Sequence, residues 1–356
     1  MKVKKEDKEL VGVKEIARRA NVSIATVDRV LHNRSGVSLK TKEKIEAIIK
    51  ELDYQPNIFA RRLASKRILK FAVIIPEVSK ETGFWDAPLR GILKAEKEIQ
   101  RYGIVIDKYF FDLNNTDSFV KQTQMIFKNG YDGILLAPIF IDESIVFTKH
   151  CKEYKIPYVF INSDIPEQDS LCYIGPNLYH SGYMGAHLLS YLVEEQQKML
   201  IVNISKEINI HHHLLRKEEG FKAYFTDNNK NYQIVKKDIR QTDYLSVEEN
   251  LNKIFEREAD ITAIFVTNSR VSSVARYLEQ YNRQHIMLIG FDYLPENIEF
   301  LKKDTIDFLI CQKPQEQGYR GIMALYNKLV HNINTDKVNF MPIDIITREN
   351  FQFYEN

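Results

Sequence analysis

ANVSIATVDRVLHN, residues 20–33, holds the signals that decide how the N-terminal part of this chain folds. The preceding VKEIARRA (13–20) repeats apolar residues at helical spacing, and a second helix is predicted over 24–31. Ser23 stands between the two helices as an N-cap. Two short helices joined by a tight connection are typical of a helix-turn-helix unit, although any three-helix bundle shares the pattern.

The second of these helices carries a carboxylate, Asp28, at its middle. A carboxylate aimed at a polyanion is repelled, so an acid here is unexpected in a helix that reads DNA. On a helix Asp28 lies one turn before His32 and can pair with it. It can also accept a hydrogen bond from the N4 amine of a cytosine, so both roles stay open.

Two further segments complete the N-terminal part. A third helix is predicted at roughly 40–52, where isoleucines and leucines recur at helical spacing. Beyond Pro56, the stretch NIFARRLASKR (57–67) is basic and helix-prone but has few apolar residues to bury. By itself it is interpreted as a linker.

Charge is distributed unevenly along the 356 residues, a length that suits two or three domains. The apolar content of 44% and charged content of 28% are those of a soluble globular protein. Residues 1–70 hold 18 Lys and Arg against 9 Asp and Glu, a charge of +9, whereas the rest hold 32 against 39, a charge of −7. A basic head on an acidic body indicates one module for a polyanion and another for a different partner.

Several classes of protein are disfavoured by the sequence. The charged N-terminus does not resemble a secretory signal and no apolar run reaches membrane-spanning length, so we expect a cytoplasmic protein without membrane contact. Three scattered cysteines without CxxC spacing argue against disulfides and structural zinc. The adjacent histidines 211–213 point to different sides of a helix, so we expect no metal site there. No phosphate-binding or catalytic motif is present, and we expect neither an enzyme nor a cofactor.

From residue 69 onward, apolar strand-like runs alternate with amphipathic helices such as 89–102, 142–154 and 271–281. This rhythm predicts parallel sheets covered on both faces, and the strands are too many for one small sheet. We therefore predict two doubly wound lobes. The predicted strands are 71–76, 104–110, 133–139, 157–162, 199–204, 261–267, 286–291 and 308–311.

Polar residues follow the ends of several predicted strands, and ligands of open α/β sheets bind at those ends. Convergent amides and carboxylates suit a polyhydroxylated ligand, because each hydroxyl needs hydrogen-bond donors and acceptors. The residues concerned are Asn162, Ser163, Asp164, Asn268, Asp292 and Gln312.

The motifs VSxATVxRVL, GVS and YxPNxxARxL resemble the DNA-binding headpiece of the LacI family of regulators. Downstream, YDGILLAPI (131–139), IPYVFINSD (156–164), FVTNS (265–269) and IGFD (289–292) resemble the type I periplasmic sugar-binding fold. The resemblance implies an all-α helix-turn-helix headpiece over 1–55 and a hinge over 56–68. An α/β periplasmic-binding-protein-like domain of two doubly wound lobes would then occupy 69–356.

The resemblance also implies roles at the DNA. The recognition helix over 24–31 would enter the major groove, with Ile24 and Ala25 limited to contacts with thymine methyl groups. Thr26 and Arg29 match positions facing the groove or the phosphates, and Ser38 and Thr41 match phosphate contacts at a helix N-terminus. The DNA-binding residues expected in the headpiece are Ser23, Ile24, Ala25, Thr26, Asp28, Arg29, His32, Ser38 and Thr41.

In the family, the hinge folds when two copies meet on DNA and wedges a leucine into the minor groove. Leu63 stands at that position, and Asn57 and Arg61 are the other hinge residues expected to contact DNA. The sparse apolar content of this segment is consistent with a helix that needs both DNA and a partner chain. A plain basic linker is the alternative.

For the ligand, the resemblance makes Phe84 and Trp85 aromatic walls against a sugar ring. Two departures from the family pattern leave the ligand's identity open. Asn162 replaces a frequent aspartate, with Asp164 two residues later, and the pocket cation is either Arg216 or Lys217. A sugar phosphate would fit if both cations pointed inward. Hydroxyl hydrogen bonds are expected from Asn268, Asp292 and Gln312.

The sequence thus predicts a homodimeric transcriptional regulator that binds a pseudo-palindromic operator and responds to a small carbohydrate. The alternative is a cytosolic sugar-binding protein or sugar-transforming enzyme with an incidental helical head.

Overall fold

The computed structural model describes residues 12–31, 34–52, 54, 68–79, 83–206 and 212–356. The chain divides into two compact units, residues 1–67 and 68–356. No helix in the described ranges combines the length and apolar character needed to cross a membrane.

The first unit contains α1 (Val13–Ala20), α2 (Ile24–Leu31) and α3 (Leu39–Glu51). α1 and α2 have the predicted bounds, whereas α3 begins and ends one residue earlier than expected, with Ser38 capping its start. The predicted Ser23 cap forms, since the backbone N–H of Thr26 donates to Ser23 Oγ at 3.1 Å. Ser38 caps α3 in the same way, accepting the N–H of Thr41 at 3.3 Å. The three helices enclose a small apolar core of Ile16, Ala17, Ala20, Val27, Val30 and Ile45.

The second unit is built on two six-stranded sheets, which confirms the predicted pair of lobes. The order is β11-β5-β4-β3-β1-β2 in the first sheet and β12-β10-β9-β8-β6-β7 in the second. In chain order the strands are β1 (Leu69–Pro76), β2 (Ile104–Phe111), β3 (Gly133–Leu136), β4 (Tyr158–Ile161), β5 (Cys172–Gly175), β6 (Lys198–Ile204), β7 (Gln233–Ile239), β8 (Ile261–Val266), β9 (Met287–Phe291), β10 (Phe308–Cys311), β11 (Val338–Phe340) and β12 (Asp344–Ile346).

The central strands are buried on both faces, as the continuous apolar runs predicted. Their pairing is parallel, and only the β10–β12 pair among the described strands is antiparallel. Helices cover both sheets: α4 (Asp86–Ile99), α5 (Thr116–Asn129), α6 (Ile141–Glu153), α7 (Leu178–Leu189), α8 (His212–Asp227), α9 (Tyr244–Arg257), α10 (Val271–Gln280), α11 (Pro295–Lys302) and α12 (Pro314–Tyr326).

We call the first sheet with α4, α5, α6 and α12 the first lobe, and the second sheet with α7–α11 the second lobe. The chain passes between the lobes three times: at 176–177 after β5, at 312–313 after β10, and at 341–343 after β11. Because all three crossings lie beside strand ends, a motion of one lobe against the other changes the backbone next to those ends.

Close helix packing in the second lobe depends on glycine. A Cβ added to Gly182 on α7 would lie 1.8 Å from the carbonyl oxygen of Lys217 on α8, and one on Gly220 would lie 1.9 Å from that of Tyr179. No side chain fits in either gap. The two backbones therefore touch, and α8 is held at a fixed depth against α7.

Candidate functional site

A cavity of about 670 Å³, part of it open to solvent, lies between the two lobes at the carboxyl ends of their strands. The cavity is lined by Phe84, Trp85, Leu113, Asn114, Ile139, Asn162, Ile204, Ser205, His213, Lys217, Asn268, Ser269, Arg270, Asp292 and Gln312.

Two opposite charges are buried in the wall of this cavity. Lys217 is 4% exposed and Asp292 is 8% exposed. Desolvation lowers the pKa of Lys217, partly offset by the charge of Asp292, and desolvation raises the pKa of Asp292 against the opposing pull of Lys217.

The ammonium of Lys217 donates to the carbonyl oxygen of Thr267 at 3.1 Å and lies 3.6 Å from the centroid of the Phe291 ring. The ammonium and the carboxylate of Asp292 influence each other electrostatically. Burying charges is costly, and a ligand with hydroxyl groups would relieve part of that cost by hydrogen-bonding to both groups.

Gln312 provides a third polar group. Its side chain is 2% exposed, and its Nε2 has no hydrogen-bond partner in the part of the chain that the structure describes. A buried amide donor left unsatisfied costs about 1–3 kcal/mol. A ligand oxygen within reach would recover this free energy.

The aromatic side of the cavity comes from the first lobe. Phe84 and Trp85 pack edge to face, with centroids 5.1 Å apart and an interplanar angle of 86°. The Trp85 ring is buried, so it forms a fixed wall. Aromatic faces of this kind suit the apolar C–H face of a sugar ring.

Seven of the nine predicted ligand residues line this cavity: Phe84, Trp85, Asn162, Lys217, Asn268, Asp292 and Gln312. Asn268 is partly committed elsewhere, because its Nδ2 donates to the carbonyl oxygen of Ile204 at 2.7 Å and its Oδ1 accepts the N–H of Arg270 at 3.2 Å. Its amide thus holds the loop that brings Arg270 to the cavity.

Asp164 and Arg216 do not line it. Both lie at a second cavity with Tyr173 and Tyr179. One residue along an α-helix turns the side chain by about 100°, so Arg216 and Lys217 cannot both point into the same space. Arg216 instead pairs with Glu219 and lies 5.4 Å from the Tyr179 ring. A sugar phosphate was expected to fit if Arg216 and Lys217 both pointed into the cavity, and only Lys217 lines it.

Several lining residues were missed from the sequence. Ser205 follows the end of β6 directly and Asn114 follows β2 within three residues, so the strand-end rule would have found both. His213, which lines the cavity from the first turn of α8, was not among the expected ligand residues. Among the described residues no cluster of His, Cys, Asp or Glu is suited to a metal ion, and His211 lies outside them.

In the first unit, α2 presents an exposed face at its N-terminus. Ser23, Ala25 and Arg29 are exposed, Ile24 is 49% exposed, and Thr26 and Asp28 are half-buried. The hydroxyls of Ser23 and Thr26 are 2.9 Å apart, and those of Ser38 and Thr41 at the start of α3 are 2.8 Å apart. Two helix N-termini carrying exposed hydroxyls are suited to binding phosphates.

Asp28 contacts Arg34, whose Nη1 lies 3.3 Å from the carboxylate. The expected partner His32 lies outside the described residues, as do the hinge residues Asn57, Arg61 and Leu63. Asp28 can therefore pair with a basic neighbour, Arg34, which was not expected from the sequence.

Comparison with known proteins gives matches over both units. Residues 71–332 match the family described as periplasmic binding protein domain, and residues 12–57 match the bacterial regulatory proteins of the lacI family. The HTH-type transcriptional regulator RegA of Clostridium acetobutylicum is 30% identical over 159 residues, 45% of each chain, so the match spans about half of that relative.

Solved structures agree with these matches. A protein of Bacteroides fragilis assigned to the LacI transcriptional regulators superposes with a TM-score of 0.74 and 27% identity, over 81% of this chain and 100% of that one. GanP, a glucose-galactose binding protein of Geobacillus stearothermophilus, superposes with a TM-score of 0.72 and 22% identity, over 80% and 99%.

Proposed function

Because the chain belongs to the periplasmic binding protein domain family and carries a lacI-family regulatory domain before it, we propose that it is a ligand-controlled transcriptional regulator. In this proposal the first unit binds a specific operator, and a sugar or sugar derivative in the cavity of the second unit changes its operator affinity. The observation that carries the proposal is one chain holding an exposed helix-turn-helix face and a cavity with buried charges and a buried, unsatisfied amide.

The chemistry of the cavity supports a polyhydroxylated ligand. Asp292 accepts hydrogen bonds from hydroxyl groups, whereas Lys217 and Gln312 donate to oxygen. Trp85 and Phe84 supply the apolar wall. A ring with hydroxyls around its edge and C–H groups on its faces uses all of these groups together.

Control of DNA binding would follow from the three crossings between the lobes. A ligand that contacts both lobes stabilises one lobe arrangement over another, and in a homodimer this changes the spacing of the two DNA-binding units. Such couplings are typically about 1–3 kcal/mol. Two copies would place two α2 helices on the two halves of a pseudo-palindromic operator.

Leu63→Ala tests the proposed wedge in the hinge. We expect operator affinity to fall at least about tenfold, because the lost side chain no longer supports the kinked base step. Fluorescence anisotropy with labelled operator measures this effect, and the exposed Leu245→Ala provides a control outside the hinge. Operator affinity equal to that of the unchanged protein would remove the wedge role from Leu63.

Asp28→Ser tests the role of the carboxylate on α2. Its contact with Arg34 is partly exposed, and pairs of this kind contribute at most about 1 kcal/mol. Removing a negative charge beside DNA should therefore tighten binding a few-fold for every operator variant alike. Binding affinities for a panel of operator variants measure this effect. Glu46→Ser on α3 makes the same change of charge and serves as the control. A changed preference at one base pair would show instead that Asp28 reads a base.

The DNA part of the proposal is tested by selecting binding sites from random duplexes with the full-length protein. We expect a pseudo-palindromic consensus whose affinity falls steeply between about 50 mM and 200 mM salt. The absence of any enriched sequence would contradict operator binding. The effector part is tested by a thermal-shift screen of the same protein against sugars and their derivatives, because a bound ligand raises the Tm by mass action.

A further inference from the structure

Two cavity residues are presented by backbone turns of unusual conformation. β9 ends at Phe291 and is followed by Asp292 with φ of 74°, and β10 ends at Cys311 and is followed by Gln312 and then Lys313 with φ of 51°. A left-handed conformation is unfavourable for residues with a Cβ by about 1–2 kcal/mol, so surrounding contacts must hold it. The two turns are neighbours, since the N–H of Asp292 donates to the carbonyl oxygen of Ile310 at 3.0 Å.

Tyr354, close to the C-terminus, contacts both turns. Its hydroxyl oxygen accepts the backbone N–H of Lys313 at 3.1 Å. Its ring packs on Tyr293, the residue after Asp292, with centroids 5.2 Å apart and an interplanar angle of 35°. One side chain thus contacts the residue that follows each of two cavity residues, Asp292 and Gln312.

The Lys313 side chain makes further contacts with the C-terminal segment and with β12. Its Nζ lies 4.5 Å from the centroid of the Tyr354 ring and donates to the carbonyl oxygen of Glu355 at 3.1 Å. The same Nζ lies 3.7 Å from the carboxylate of Asp344, the first residue of β12. The C-terminal segment is therefore tied to the second crossing at 312–313 and to the strand that follows the third crossing.

α12 itself contributes one side-chain contact to this turn, since the Nε2 of Gln317 donates to the carbonyl oxygen of Gln312 at 2.8 Å. Lys313 is the N-cap of α12, and no side chain caps that helix end. Helix N-terminal N–H groups without a partner are unfavourable when shielded from water. The Tyr354 hydroxyl contacts the backbone at this point, beside the buried amide of Gln312.

We propose that Tyr354 is a positioning residue for ligand binding: it holds the two strand-end turns that aim Asp292 and Gln312 into the cavity. The proposal rests on the proposed function, since it requires the cavity to be the ligand site. Tyr354 itself does not line the cavity, so its effect on affinity is transmitted through the backbone of Lys313 and the ring of Tyr293.

The test compares sugar affinities of three full-length variants by isothermal titration. The probe is whichever of D-glucose, D-galactose, D-ribose and D-arabinose raises the Tm of the unchanged protein most. Tyr354→Phe keeps the ring and loses the hydroxyl, and we expect about fivefold weaker binding of the probe. Tyr354→Ala loses both contacts and should weaken binding at least about twentyfold. Phe353→Ala, at a neighbouring position that is 78% exposed, should change affinity less than about twofold.

Sugar affinity of both Tyr354 variants equal to that of the unchanged protein would overturn the proposal, even if their Tm without sugar is lower, because a purely structural contact acts on the Tm alone. Equal losses in Tyr354→Ala and Phe353→Ala would also overturn it, by showing a general effect of the terminus. If none of the four sugars binds the unchanged protein, a monosaccharide effector of this class is contradicted, and the positioning role is contradicted with it. Binding of a probe together with unaffected Tyr354 variants contradicts the positioning role alone.

Discussion

Asp292→Ala is expected to abolish the response to ligand while operator affinity without ligand is retained. The carboxylate is the buried acceptor of the cavity, and hydrogen bonds to a charged group contribute about 1.5–3 kcal/mol, or about 10- to 150-fold in affinity. The variant also leaves Lys217 without the opposite charge that offsets its desolvation, so the lysine becomes a poorer donor. Both effects weaken ligand binding, and neither changes a residue of the first unit that would contact DNA.

The measurement pairs a ligand thermal shift with operator binding in the same preparation. Asp164→Ala is the matched control, since Asp164 was predicted for the same site but lies at the second cavity. We expect the control to respond to ligand like the unchanged protein. A normal response in Asp292→Ala would move the effector site elsewhere, and a loss in Asp164→Ala alone would place it in the second cavity.

Gly182→Ala is expected to destabilise the protein by at least about 2 kcal/mol, the opposite of the usual effect of alanine in a helix. The new Cβ would lie 1.8 Å from the carbonyl oxygen of Lys217, and backbone cannot rotate away as a side chain can. Relief requires α8 to move away from α7. Because α8 carries Lys217, the shift should also lower ligand affinity.

Thermal unfolding measures the change, which corresponds to a fall in Tm of at least about 4 °C for a domain of this size. Gly83→Ala is the matched control, since a Cβ there meets no atom within 4 Å. A Tm for Gly182→Ala equal to or above that of the unchanged protein would show that the two helices are not in backbone contact.

Much of the fold could be predicted because local signals and tertiary packing agree. The Ser23 cap and helical apolar spacing placed α1 and α2 at their observed bounds. The central strands were predicted from continuous apolar runs. Three of the missed strands lack that signal: β11 and β12 span only three residues each, and β7 (QIVKKDI) is a polar strand at the sheet edge. β5 was missed although, like the predicted β3 and β4, it is four residues long and buried.

The cavity was predictable in position but less so in detail. The rule that ligands bind at strand ends identified Asn162, Asp292 and Gln312, because strand ends can be located along the sequence. It could not choose between Arg216 and Lys217, since that choice depends on the rotation of α8 set by glycine packing against α7. Nor could it identify Tyr354, whose contacts with 293 and 313 bring together residues far apart in sequence.

The central claim is that one small ligand in the cavity controls DNA affinity, and the most direct measurement of it is operator binding with and without saturating effector. The full-length protein is titrated onto its selected operator and onto a scrambled duplex at fixed salt, with Asp292→Ala in parallel. We predict that effector changes affinity for the operator by about 5- to 150-fold, leaves binding to the scrambled duplex unchanged and has no effect on Asp292→Ala. Operator affinity that is the same with and without an effector shown to bind the cavity would contradict the account.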